Sequence, residues 1–93
     1  MNNFAKLSIK VSKFMDMDKV IESNLSTIKV SMSSYREIVD FKEPVISKLI
    51  TEVEGATTIL LILEPDCKEW ELGLKRLNQA LKELKSEAEK RAT

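Results

Sequence analysis

The sequence predicts an all-α protein, an antiparallel bundle of three helices within a single domain spanning residues 1–93. Three observations predict this fold class. Apolar residues recur at alternating four- and three-residue spacings in three segments, a proline stands at or near each boundary between them, and the whole chain has two glycines and two prolines. This spacing places apolar side chains on one stripe of a helix, and only that stripe needs a partner to bury it. With 43% hydrophobic and 32% charged residues, the composition is typical of a folded domain.

The first predicted helix spans residues 3–41, and Asn2 or Asn3 is expected to cap it. Its seam has eleven positions, of which ten are apolar or aromatic. They are Phe4, Leu7, Val11, Phe14, Asp18, Ile21, Leu25, Ile28, Met32, Tyr35 and Val39. Asp18 places a carboxylate in the seam, and the polar side chains of residues 23–26 compete for backbone hydrogen bonds. A break near residues 16–26 would therefore convert the three-helix bundle into a four-helix bundle.

An alternative interpretation is a small α/β domain with strands near residues 5–11, 27–32 and 57–63. The strings Leu7-Ser-Ile9-Lys-Val11 and Ile28-Lys-Val30-Ser-Met32 alternate between apolar and polar residues, as half-buried strands do. The helical spacing nevertheless accounts for far more of the positions in residues 3–41, and for this reason we favour the helix.

The second and third helices are predicted at residues 44–63 and 66–90. Pro44 suits the first turn of a helix, where the missing N–H is unneeded. In the second predicted helix, further apolar residues widen the stripe until the last turns of the helix are apolar nearly all round. This pattern predicts that those turns are buried on most sides. After Pro65, Asp66 and Glu69 have capping-box spacing at the start of the third helix. The short connections predict antiparallel neighbours.

The composition argues against catalysis and against bound metals or cofactors. The chain has no histidine and a single cysteine, Cys67, so no Cys–His pair or zinc site is expected. Gly55 and Gly73 stand alone, so no phosphate-binding loop is predicted. The formal net charge is zero, and no nucleic-acid partner is expected. The first residues lack the apolar core of a signal peptide, and we expect a soluble cytoplasmic protein.

The favoured function is that of a non-enzymatic helical interaction module, such as an adaptor, an inhibitor or immunity protein, or a chaperone. A helix of residues 3–41 would span roughly 57 Å, longer than its two partners, and would leave apolar surface for a protein partner or a second copy. The residues predicted to bind that partner are Phe4, Leu7, Val11, Phe14, Asp18 and Ile21. Small bacterial immunity proteins, phage-encoded inhibitors and secretion chaperones are similar in size and helical build.

An alternative function follows from the order of helices over residues 37–90. A long seam, a proline-initiated apolar helix and a leucine-rich charged helix together resemble the helical N-terminal domains of cell-death executors, such as the plant resistance-protein and mixed-lineage-kinase-like bundles. The resemblance implies a signalling or membrane-perturbing bundle. Residues 1–15 also carry Lys6, Lys10 and Lys13 without an acidic residue, a pattern found in helices that lie on anionic membranes.

Overall fold

The computed structural model describes residues 2–15, 22–39 and 43–92. Within these ranges the chain forms four α-helices and no strand. They are α1 (Asn3–Met15), α2 (Glu22–Val39), α3 (Pro44–Ile62) and α4 (Lys68–Arg91). The predicted all-α bundle is confirmed, with four helices in place of the three of the main prediction.

The α/β alternative is wrong, because the segments proposed as strands are helical apart from residue 63. Burial along them explains why. Leu7 and Val11 are buried whereas Ile9 between them is exposed, and Val30 is likewise exposed between buried neighbours four residues apart. In a strand all three residues of such a string would share one face, but in a helix the middle residue lies on the opposite side.

The single long helix over residues 3–41 is also wrong, since α1 ends at Met15 and α2 begins at Glu22. Residues 16–21, which include Asp18 and Ile21, lie outside the described residues. One physical reason for two helices is length: a rod of roughly 57 Å at 1.5 Å per residue would project well beyond a molecule whose longest extent is 40 Å. As two helices, α1 packs against α4 and α2 packs against α3.

The four helices form an up-down-up-down bundle in which α4 packs between α1 and α3, and α3 packs against α2. The contact between α1 and α2 is the least extensive of the neighbouring pairs. The directions are antiparallel: Asn2 Nδ2 donates to the Ala92 carbonyl oxygen at 3.2 Å, and Arg36 on α2 pairs with Glu54 on α3. This ring order places the α1–α2 groove and the α3–α4 groove on opposite sides of the bundle.

The helix starts follow local chemistry. Asn2 Oδ1 accepts a hydrogen bond from the Ala5 N–H at 2.8 Å, which confirms an asparagine cap, and Pro44 is the first residue of α3 as predicted. The predicted start of the last helix is wrong by two residues. Cys67 caps α4, its Sγ accepting from the Trp70 N–H at 3.3 Å, while Asp66 lies in the left-handed region with φ 69°. Asp tolerates that region better than most residues, so the chain turns there before α4 begins.

The core is built from the apolar stripes of all four helices. Its buried hydrophobic residues are Leu7, Val11, Phe14, Leu25, Ile28, Met32, Ile46, Leu49, Ile50, Val53, Ala56, Leu60, Trp70, Leu77, Ala80, Leu81, Leu84 and Ala88. Full burial of one leucine or isoleucine side chain contributes roughly 1.5–3 kcal/mol, so this shared core is the principal source of stability. Thr57 is buried with it and donates to the Glu54 carbonyl oxygen at 2.8 Å.

Candidate functional site

Most of the residues predicted to bind a partner belong to the bundle's own core. Leu7, Val11 and Phe14 are buried, and Phe4 is partly buried against the same cluster. Asp18 and Ile21, the other two predicted residues, lie outside the described residues. The role of this set in partner binding therefore stays a prediction. Contact with a partner through Leu7, Val11 and Phe14 would require α1 to separate from the bundle, so among the described residues the surfaces open to a partner are others.

One such surface is an open groove between α3 and α4. Its register is set where Gly73 approaches Leu60 so closely that a Cβ built on Gly73 would lie 2.8 Å from Leu60 Cδ2. Because the helices are antiparallel, Ile59 then lies near Lys75 and residue 52 near residue 83. The groove is lined by Glu52, Gly55, Ala56, Ile59, Lys75, Arg76, Gln79, Ala80 and Glu83. We call these residues, together with Ile62 and Leu72, the α3–α4 face.

Three large apolar side chains of this face are exposed to solvent. Ile59 is 43% exposed, Ile62 is 80% exposed and Leu72 is 57% exposed. Ile62 continues the α3 stripe past Ile59, and Leu72 precedes Arg76 by one turn on α4, so the register brings both toward the same end of the groove. The predicted burial of the last turns of α3 on most sides is therefore wrong. The apolar width of that helix exceeds what the core uses, and the excess faces solvent.

The α3–α4 face also carries four charged residues, and the two signs are separated along the groove. Lys75 and Arg76 lie one turn from the groove's centre, toward the apolar end, and Glu52 and Glu83 lie one turn from the centre in the opposite direction. All four residues are exposed. The centre of the groove is lined by small residues. A Cβ built on Gly55 would meet nothing within 4 Å, and Ala56 and Ala80 are buried in the floor of the groove.

The groove on the opposite side of the bundle is basic. It is lined by Lys6, Ile9, Lys10, Lys13 and Tyr35, which we call the α1–α2 face. Lys10 Nζ lies 5.8 Å from the centroid of the Phe14 ring, within the range of a cation–π contact. No acidic residue occurs in the described residues of α1, and Ile9 is 45% exposed between the lysines. The three predicted basic positions thus share one solvent-facing surface.

A third groove lies between α2 and α3, and five of its seven lining residues are serine, lysine or glutamate, the other two being Val30 and Leu61. Val30 is 67% exposed there, and its neighbours in the groove include Ser26, Ser33, Ser34 and Glu37. Single exposed apolar residues of this kind are common on soluble proteins and need no functional explanation. Val30 therefore serves below as a matched control for the apolar end of the α3–α4 face.

The charged network at the end of the bundle opposite the α3–α4 loop joins two helices. Arg91 donates from Nε to Glu43 Oε2 at 3.0 Å and from Nη1 to Glu87 Oε2 at 3.0 Å. The hydrogen bonds to Glu43 and then to Glu87 raise the pKa of the Arg91 guanidinium above its usual value, and the hydrogen bond from Arg91 lowers the pKa of the Glu87 carboxyl. Each charge has a partner, so we assign this network to stability.

The part of the chain that the structure describes contains no group of three or more His, Cys, Asp or Glu side chains able to hold a metal ion. Cys67 is partly buried and serves as the cap of α4, where its sulfur accepts a backbone hydrogen bond. In the same described ranges, no helix is both long and apolar enough to cross a membrane.

Comparison with known proteins gives no relative: no family model matches the chain, and neither a curated protein nor a solved structure matches it. The candidate surfaces therefore rest on geometry alone. Sequence reasoning found the lysines of the α1–α2 face but missed the α3–α4 face. The available signal was the apolar stripe of α3, which is wider than its two neighbouring helices, α2 and α4, cover.

Proposed function

We propose that this chain is a non-enzymatic helical interaction module that binds a protein chain through the α3–α4 face. The observation that carries the proposal is the exposure of Ile59 in an open interhelical groove, together with the exposed Ile62 and Leu72, which the helical spacing places about one turn beyond the groove's lining residues. Apolar side chains gathered around a groove match the helix-in-groove mode of recognition, in which a partner helix lays its own apolar stripe between two helices. Burial of large apolar side chains in such an interface contributes much of the binding free energy.

Site-specific photo-cross-linking tests this function in cells that produce the protein. A photoreactive amino acid replaces Ile62 in one variant and Val30 in a control variant. Both positions are well exposed, so neither substitution should disturb the core. We expect covalent protein adducts of defined mass from position 62 and none of the same mass from position 30. The same adducts from both positions, or no protein adduct from position 62, would overturn the proposal.

A second function is supported by the α1–α2 face, which suits adsorption to an anionic membrane surface. Lys6, Lys10 and Lys13 follow the helical spacing that puts them on one side of α1, with Ile9 among them. Each basic side chain near an anionic surface contributes roughly 1 kcal/mol at physiological ionic strength. Because the main apolar stripe of α1 is part of the core, this function consists of electrostatic adsorption and needs no insertion.

Vesicle co-sedimentation tests the second function. Vesicles with anionic lipid should pellet the protein at low salt, and vesicles of neutral lipid should not. The double substitution Lys6→Glu and Lys13→Glu should abolish pelleting, while charge reversal at Lys75 and Arg76 on the opposite groove should leave most of it. Equal pelleting by neutral vesicles, or no effect of the α1 substitutions, would exclude membrane adsorption through this face.

A further inference from the structure

We propose that the partner of the α3–α4 face is a second copy of this chain, bound antiparallel so that the two grooves face each other. This inference rests on the proposed function, since it requires that the α3–α4 face binds protein, and it goes further by naming the partner and the register. The argument comes from the order of charges along the groove.

The charged residues lie at about equal distances on either side of the groove's centre, and the charges on the two sides have opposite signs. Gly55 on α3 and Gln79 on α4 mark that centre. Toward the α3–α4 loop, Lys75 and Arg76 lie three to four residues from Gln79, which corresponds to roughly 4.5–6 Å along the helix. In the other direction, Glu83 lies about the same distance from Gln79, and Glu52 from Gly55. The groove therefore carries two positive charges on one side of its centre and two negative charges on the other.

A two-fold axis that lies in the interface and crosses the helices at the level of Gly55 reverses this order in the second copy. Lys75 and Arg76 then lie at the level of the second copy's Glu52 and Glu83, and the reciprocal contacts form by symmetry. A parallel arrangement of the two copies would instead bring like charges to the same level, which is unfavourable. The charges of the face are thus complementary in the antiparallel orientation and repel each other in the parallel one.

The shape of the groove allows the close approach that such pairing requires. A Cβ on Gly55 would meet nothing within 4 Å, so the second copy's backbone and side chains have space at the centre. Ile59 lies one turn from Gly55 in each copy, so the antiparallel register places one Ile59 side chain on either side of the paired glycines. Burial of these two side chains adds an apolar contribution to the charge pairing.

Sedimentation velocity over a wide concentration range, at low and high salt, tests the proposal with charge-reversed variants. One variant carries Lys75→Glu and Arg76→Glu, which leaves the charged positions of the face all acidic. The other carries Glu52→Lys and Glu83→Lys, which leaves them all basic. All four residues are exposed, so both variants should keep their helix content, and circular dichroism checks this.

We expect the wild-type chain to dimerise, more tightly at low salt than at high salt. Each variant alone should dimerise at least about tenfold more weakly, because several exposed charge pairs across the interface change from attraction to repulsion. An equimolar mixture of the two variants should recover a heterodimer. The variant Lys6→Glu with Lys13→Glu, which changes the net charge as much as the first variant but on the opposite groove, should dimerise like the wild type.

A wild-type chain that stays monomeric at every concentration would overturn the inference, as would a mixture that fails to associate. Dimers unaffected by either charge reversal would also overturn it, because they would use another surface. These failures are distinguishable from failure of the proposed function. If the photoreactive group at position 62 joins a protein of different mass while the chain is monomeric, the interaction module stands and the second copy is excluded as its partner.

Discussion

The substitution Gly→Ala should stabilise the protein at one of its two glycines and fail to stabilise it at the other. Both glycines are inside helices, so helix propensity favours alanine by about 0.8–1 kcal/mol at each position. At Gly55 a Cβ meets nothing within 4 Å, and we expect the full gain. At Gly73 the Cβ would lie 2.8 Å from Leu60 Cδ2 and 3.3 Å from Cγ, well inside ordinary carbon–carbon contact.

The cost at Gly73 is set by how far Leu60 is able to move. Leu60 is buried in the core, so its side chain has no route into solvent, and overpacking of this kind costs about 1–3 kcal/mol. After subtraction of the propensity gain, Gly73→Ala should lower the free energy of unfolding by about 0–2 kcal/mol. The two variants should therefore differ by about 1–3 kcal/mol although the chemical change is identical.

Urea unfolding followed by circular dichroism measures both free energies, at a protein concentration low enough to keep the chain monomeric. A double-mutant cycle with Leu60→Ala serves as the control, because removal of Cγ and both Cδ atoms should eliminate most of the cost at Gly73. If Gly73→Ala stabilised the protein as much as Gly55→Ala, the close approach of α3 and α4 at this level, and with it the register of the groove, would be refuted.

Three further outcomes are expected. Glu54→Gln should lower the free energy of unfolding by roughly 1 kcal/mol, because it weakens the charged hydrogen bonds from half-exposed Arg36, and urea titrations should show a smaller loss at high salt. Glu87→Gln should make the melting temperature depend less on pH in the acid range. Arg91 holds the pKa of the Glu87 carboxyl below its ordinary 4.5 in the folded state, so the stabilisation that this carboxylate contributes is complete above pH 4.5 and is lost as the pH falls through the lowered pKa. Asp66→Gly should raise the unfolding free energy by up to about 1 kcal/mol and Asp66→Val should lower it, because φ is 69°, and equal melting temperatures for the two variants would contradict this.

The fold was predictable from the sequence wherever one periodic stripe determined burial. The spacing of Leu7 and Val11, and of Ile28 and Met32, predicted which side chains are buried, and Pro44 predicted a helix start. The continuity of the first helix was not predictable, because one polar residue in a seam is compatible both with a kinked rod and with two helices. The start of α4 was missed because Asp66 and Cys67 both suit a position near a helix start, and the backbone dihedral of Asp66 depends on the turn after Pro65.

The candidate site was less predictable. An apolar stripe indicates that a helix face becomes buried, but it does not indicate whether another helix of the same chain or another molecule covers it. The apolar residues among those predicted to bind a partner lie on the regular seam of α1, and for that reason the fold itself buries Leu7, Val11 and Phe14 in the core. Side chains at the edges of stripes, such as Ile59 and Ile62, remain exposed because each helix of a four-helix bundle has only two neighbours. Regular positions of a stripe therefore predict core residues, and excess apolar width predicts apolar side chains that stay exposed to solvent.

The ring order of the helices separates the two candidate functions in space and makes each a control for the other. The basic α1–α2 face and the mixed-charge α3–α4 face lie across the bundle from each other, and both carry exposed lysines. Reversing the charges of Lys6 and Lys13 changes the long-range field of the molecule as much as reversing Lys75 and Arg76 does. A loss of dimers from the second reversal alone, with vesicle binding intact, would therefore show that local pairing rather than net charge holds the two copies together.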